Sequence, residues 1–128
     1  MTKQKRALVV EDNALAQNTI RFILDELGWM APIAVSRGRQ ALLLMEKEVG
    51  NLNLIILDQG LPDIPGLELL AKMMKRFGKM PPVIMITGNY DPTLETEARA
   101  LGVAAFVMKH ELSFDKIEEL ITRIIDHS

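Results

Sequence analysis

The sequence predicts an α/β fold in which one parallel sheet carries helices on both faces. Two observations lead there. Five short apolar runs alternate with stretches of helical periodicity, and the connections between them are short. The central run, Leu54-Ile55-Ile56-Leu57, is unbroken and leads into Asp58, Gly60 and Pro62. An apolar run bounded in this way reads as a strand buried on both faces. The 128 residues leave room for one domain with a real core, spanning 1–128, and not for two.

Residues 6–11 read as the first strand, Leu8-Val9-Val10 leading into Glu11-Asp12. Asn13 or Asp12 can cap a helix whose apolar positions Leu15, Ile20, Ile23, Leu24 and Leu27 keep helical spacing, and Gly28 supplies its stop. Met30 to Val35 is a short second strand, and Ser36 can cap a helix carrying Ala41, Leu42 and Met45 that fades at Gly50-Asn51. The third strand is 53–58. Pro65 fits a first helical position, with Leu67, Leu70, Ala71 and Met74 as a buried stripe up to Gly78. The fourth strand, Val83 to Ile86, ends in Thr87-Gly88. Asp91 and Pro92 open a helix as N-cap and first residue, and it closes at Gly102. The fifth strand is 104–108, and Ser113 opens a last helix with Ile117, Leu120, Ile121 and Ile124 facing inward.

Composition narrows the function. A 48% apolar and 25% charged chain is an ordinary globular domain, and a net charge of −2 supplies no basic field for nucleic acid or an acidic membrane surface. The absence of cysteine excludes disulfides, thiol catalysis and Cys-ligated metals. The basic start, Met1 to Arg6, is followed by an apolar stretch too short for a signal peptide, and no apolar run reaches the length of a membrane span. A cytoplasmic location is the expectation. The eight methionines fall mostly at core-type positions and read as packing.

Chemistry gathers at the carboxyl ends of the strands, where open α/β sheets bind ligands. Glu11 and Asp12 follow the first strand, Asp58 ends the third, Thr87 the fourth and Lys109 the fifth. Two carboxylates about 4 Å apart repel by roughly 4 kcal/mol at an effective dielectric near 20. Such a cluster needs a cation or a retained proton. Oxygen ligands alone suit Mg²⁺, which keeps several waters and accepts a substrate phosphate. Lys109 can clamp a phosphoryl group, Thr87 can donate to one of its oxygens, and Gly88 allows close backbone approach. A carboxylate, a divalent metal and a lysine make a phosphoryl-transfer set with an aspartyl nucleophile. Each residue taken singly also has an ordinary role, as helix-capping acid, turn former, loop residue or surface lysine.

The ordered set resembles the receiver domain of two-component response regulators over essentially the whole chain. The resemblance is carried by Glu11-Asp12, Leu57-Asp58 with Leu61-Pro62 and Gly66, Thr87-Gly88, and Phe106 three residues before Lys109. It implies the flavodoxin-like strand order 2-1-3-4-5 with five helices, an order for which a chemotaxis member of this family is a standard example. It also implies roles. Asp58 takes a phosphoryl group from a phosphohistidine on a sensor histidine kinase or histidine phosphotransfer protein. Asp12, Asp58 and the Gly60 backbone carbonyl hold Mg²⁺, with Glu11 reaching it through water. Thr87 and Lys109 bind the phosphoryl oxygens, and Thr87 and Phe106 form the switch. The protein is then a phosphoacceptor regulator rather than an enzyme in its own right, and its output is a downstream protein target.

Departures from the family pattern are specific. His110 stands where proline usually follows the lysine, and a cis bond before a non-proline residue costs about 3–4 kcal/mol, so Lys109–His110 is expected trans. Pro65 replaces a common acidic residue before Gly66, and Phe106 keeps an aromatic ring without a tyrosine hydroxyl. Gly60 and Asn89 occupy positions that influence water access to the phosphoaspartate in the family. The alternative is a receiver-like interaction module that signals without phosphorylation. An aspartyl-nucleophile phosphatase would need an acid two residues after Asp58, where Gly60 stands. The start at Met1 favours a single-domain regulator over a receiver cut from a longer protein, acting as a monomer that pairs with another protein and not with nucleic acid or membrane.

Overall fold

The computed structural model describes residues 4–125. Five parallel strands, β1 (Ala7–Val10), β2 (Ile33–Val35), β3 (Leu54–Asp58), β4 (Val83–Thr87) and β5 (Ala105–Met108), form one sheet in the order β2-β1-β3-β4-β5. Between and after them run α1 (Ala14–Glu26), α2 (Gly38–Glu48), α3 (Gly66–Phe77), α4 (Pro92–Ala100) and α5 (Phe114–Ile124). The expected flavodoxin-like receiver topology is the observed one.

Side chains alternate across a strand with period two, so each central strand feeds both faces. Ala7, Val9, Leu54, Ile56, Ile84 and Ile86 pack with Ile20, Ile23 and Leu24 of α1 and Ile117, Leu120 and Ile121 of α5. Their neighbours Leu8, Val10, Ile55, Leu57, Val83 and Met85 pack with residues of α2, α3 and α4. Every residue of β1, β3 and β4 is buried, which is why their sequences are continuous apolar runs. The edge strands β2 and β5 include half-buried positions.

Five local expectations are corrected. The second strand is Ile33–Val35 and not Met30–Val35, because Pro32 has no N–H to continue the ladder. Ser36 does not cap α2. Arg37 is the N-cap, Gln40 Oε1 accepts from the Ser36 and Arg37 amides at 3.1 Å each, and the first-turn amides go elsewhere. Pro65 is the N-cap of α3 rather than its first residue, and the buried stripe is Gly66, Leu69, Leu70 and Met73. Leu67 is half-buried while Ala71 and Met74 are exposed. This helix is apolar on too many sides for spacing alone to choose the face. Finally, Leu15 lies on the solvent side of α1, 76% exposed.

The expected caps Asn13, Asp91 and Ser113 all accept from first-turn amides of α1, α4 and α5. Lys109–His110 is trans, as expected. Gly66 is required by a close approach. A Cβ there would lie 2.4 Å from the Asp58 carbonyl oxygen and 2.8 Å from the Gln59 Cα. Gly66→Ala is therefore expected to destabilise the fold by about 1–3 kcal/mol in urea unfolding, the range for forced overpacking. Gly50→Ala, with open space around it, should change stability by less than about 0.5 kcal/mol.

Candidate functional site

Strand register assembles the site. Val10 pairs with Leu57, so Glu11 emerges beside Asp58 at the carboxyl ends of β1 and β3. The Glu11 amide donates to the Val35 carbonyl at 3.0 Å, and its carbonyl accepts from Gln17 Nε2 at 2.5 Å. Its side-chain Oε2 accepts from the Asn13 amide at 3.0 Å. Glu11 is fully buried and Asp58 is 1% exposed. Asp12 is exposed at the rim, and ligand oxygens of Glu11, Asp12 and Asp58 all lie within 4.8 Å of one another.

Lys109 reaches this cluster from the turn that follows β5. Its Nζ lies 2.7 Å from Glu11 Oε1 and 3.3 Å from Asp58 Oδ2. Burial by itself disfavours the ammonium, but the Glu11 and Asp58 carboxylates outweigh it and raise the Lys109 pKa. Glu11 is pushed above the usual carboxylate range, chiefly by burial and further by Asp58, although Lys109 and the Asn13 amide pull it down. A raised carboxylate pKa means that ionised Glu11 costs stability at neutral pH and that the cost fades on acidification. Buried Glu11 Oε1 makes no hydrogen bond among the described residues, and the Lys109 ammonium 2.7 Å away is its charge partner.

Three carboxylates share one ammonium. The site therefore remains anionic when all are charged, with an all-oxygen ligand set. That arrangement fits a small hard divalent cation of the Mg²⁺ type. Asp58 Oδ1 also accepts from the Gly60 amide at 3.1 Å. Gly60 itself lies over this carboxylate, since a Cβ on it would meet both Asp58 oxygens at 3.8–3.9 Å.

Thr87 is buried at the end of β4, but its hydroxyl is turned to its own loop. It donates to the Asn89 carbonyl at 3.2 Å and accepts from the Asn89 amide at 3.4 Å. Phe106 is half-buried against the core on the α2–α4 side. The structure thus gathers Glu11, Asp12, Asp58 and Lys109, while the Thr87 hydroxyl bonds to Asn89 and Phe106 packs on the α2–α4 side.

Two residues that shape the site are not apparent from the sequence. Gln59 ties the Asp58 loop to α3: its Oε1 accepts from the Leu67 amide at 2.7 Å and its carbonyl from the Gly66 amide at 3.0 Å. Asp63 supplies the capping carboxylate of α2, whose N-cap residue is Arg37. Its two carboxylate oxygens accept from the Gly38 amide at 2.8 Å and the Arg39 amide at 3.0 Å. Pro62-Asp63 signals only a turn, and nothing local could reveal a partner 25 residues away.

The model for the response regulator receiver domain matches residues 7–124. The chain belongs to that family. It is a receiver domain of two-component response regulators, a regulator module. It is 30% identical over 105 residues to a protein-glutamate methylesterase/protein-glutamine glutaminase of Trichodesmium erythraeum, covering 81% of this chain and 30% of that protein. To the transcriptional regulatory protein CrdR of Helicobacter pylori it is 28% identical, covering 96% of this chain and 56% of the relative. The chain thus spans little more than half the length of these curated relatives, or less. A CheY-like receiver domain from Methanospirillum hungatei superposes with TM-score 0.86 at 28% identity, covering 98% of this chain and 96% of that one. A CheX–CheY complex with BeF3 and magnesium from Borrelia burgdorferi has the same fold, with TM-score 0.85 at 21% identity and coverage of 94% and 88%. Among the described residues no helix is long and apolar enough to cross a membrane.

Asp63→Ala is expected to lose about 1 kcal/mol of stability at neutral pH, the usual cost of a lost N-cap. The capping amides outweigh burial and hold the Asp63 carboxyl below its usual range. Its contribution is therefore present above the unfolded pKa and is lost as pH falls through the lower folded value. Urea unfolding from pH 7 downward should show the gap between wild type and variant closing below about pH 4.

Proposed function

We propose that this receiver accepts a phosphoryl group on Asp58 from a phosphohistidine of a sensor histidine kinase or histidine phosphotransfer protein. The observation that carries the reading is the buried Asp58 carboxylate, with Oδ2 3.3 Å from Lys109 Nζ and the Glu11 and Asp12 oxygens alongside. In the transfer, an Asp58 oxygen forms a bond to phosphorus as the bond from phosphorus to the histidine nitrogen breaks, and the electron pair leaves with the imidazole. Lys109 balances charge on the phosphoryl oxygens in a water-poor site, where such pairing is strongest. Mg²⁺, held by Asp12, Asp58 and the Gly60 carbonyl with Glu11 behind them, would neutralise the approaching phosphoryl group. The module that signals without phosphorylation gains no support, because the site retains every group that phosphotransfer needs.

The switch follows from the Thr87 hydrogen bonds. A phosphoryl group on Asp58 offers charged acceptor oxygens, and a bond to a charged group is worth about 1.5–3 kcal/mol against about 0.5–1.5 for a neutral one. Thr87 then exchanges its Asn89 contact for the phosphoryl group, the loop after β4 follows, and Phe106 turns inward. The gain amounts to a population shift rather than a complete conversion. The responding surface is the one formed by α4, β5 and α5, and the output is a protein target.

Asp58→Asn is expected to abolish base-labile phosphoryl incorporation from a small phosphodonor in Mg²⁺. Label persisting at the wild-type level would overturn the assignment. Calorimetric Mg²⁺ titrations should show a larger loss of affinity for Asp12→Ala than for Glu11→Ala, and the reverse order would exchange their roles. Hydrogen exchange with a phosphoryl mimic on Asp58 should change most between Thr87 and Ser113. A response confined to α1 would count against this output face.

A further inference from the structure

A second site lies one residue away from Asp58. Helices α3 and α4 leave an open trough of about 530 Å³ between them. Its apolar lining comes from Pro65, Leu67 and Ala71 on one side and Ala100 and Leu101 on the other. Glu68 of α3 and Glu97 of α4 complete the walls, and no cationic residue lines it. Neither carboxylate has an ion-pair or hydrogen-bond partner among the described residues, whereas Glu46, Glu95 and Glu11 are each paired with a cation. Both glutamates are exposed.

Each feature limits the occupant. The apolar lining bordered by two carboxylates offers a contact surface to apolar side chains of a partner. Two unpaired carboxylates across the trough disfavour an anion and complement a cation. The shape, a groove between two helices open along its length, is that which accepts the apolar face of a third helix. A second copy of this chain fits poorly. The exposed Leu15 and Phe22 of α1 are accompanied by Arg21 but also by Asp25 and Glu26, and the exposed Leu43 of α2 by Arg39 and Lys47 but also by Glu46 and Glu48, so neither helix presents a uniformly cationic face to Glu68 and Glu97.

We infer that the α3–α4 trough docks a cationic amphipathic helix of a partner protein, with apolar side chains in the trough and lysine or arginine against Glu68 and Glu97. Gln59 places the trough in contact with the signalling site. It lines the trough, holds the Gly66 and Leu67 amides, and donates its own amide to the Ile86 carbonyl of β4 at 3.0 Å. A change at Asp58 therefore reaches the trough through one residue. The docking itself does not depend on phosphorylation, and its test uses the unphosphorylated protein.

The experiment is a titration of the intact protein with a Leu/Lys amphipathic helical peptide, read by backbone-amide NMR shifts and by anisotropy of the labelled peptide. Shifts should concentrate between Leu67 and Ala71 and between Glu97 and Leu101. Glu68→Lys combined with Glu97→Lys should weaken binding by roughly tenfold. The same charge change on α5, Glu118→Lys with Glu119→Lys, should leave affinity within about twofold. Ala71→Trp fills the trough without altering charge and should also weaken binding. If the two charge-reversed pairs weaken binding equally, general electrostatic attraction accounts for the binding and the docking site is overturned. Equal binding of a Leu/Glu peptide, shifts centred on another face, or no saturable binding would likewise overturn the inference.

Discussion

Glu11 and Asp58 are two carboxylates buried side by side at the end of an apolar sheet, and the ammonium of Lys109 is what makes that tolerable. At an effective dielectric near 20, two such charges about 4 Å apart repel by roughly 4 kcal/mol, and burial adds a desolvation cost to each. Removing one member of a buried ion pair typically costs about 3–5 kcal/mol, because the remaining charge stays behind without compensation. The sheet order is built around this requirement. β1 and β3 are hydrogen-bonded neighbours, which places the acids together, while β4 and β5 follow in turn and bring Lys109 back to them. One cation for three acids leaves the pocket short of positive charge, and that deficit favours a divalent cation.

The loop after Asp58 is held by few contacts, each of them specific. Gly66 approaches the Asp58 and Gln59 backbone so closely that no side chain fits. Gln59 binds the first turn of α3, and Asp63 caps α2. The starts of two helices are thereby referenced to a single strand terminus. The opposite side of the pocket is held more weakly. Thr87 and Asn89 are joined by two neutral hydrogen bonds of 3.2 and 3.4 Å within one loop. The β3 loop is therefore the more rigidly held of the two sides. The α3–α4 trough lies against the rigid side, with Gln59 shared between the two.

The order of the strands and α-helices and the acids and lysine of the pocket were legible in the sequence, whereas Gln59 and Asp63 were not. Leu54–Leu57 is apolar without interruption because β3 is covered on both faces, and that signal survives any detail of packing. Asn13, Asp91 and Ser113 are caps whose partners lie within three residues, so their chemistry is local. Glu11, Asp12, Asp58 and Lys109 were recognisable because the ends of parallel strands must converge. What only the tertiary structure decided depends on contacts between distant segments. The buried face of α3 is set by where the sheet lies, since Leu67, Leu69, Leu70, Ala71, Met73 and Met74 permit more than one apolar stripe. The capping carboxylate of α2 comes from Asp63, because a carboxylate from another loop outcompetes the local Ser36. Gly66 is indispensable only because the Asp58 backbone passes 2.4 Å from where a Cβ would stand. Sequence periodicity records which residues avoid water, whereas the facing partner, which sets the choice among them, exists only once the chain has folded.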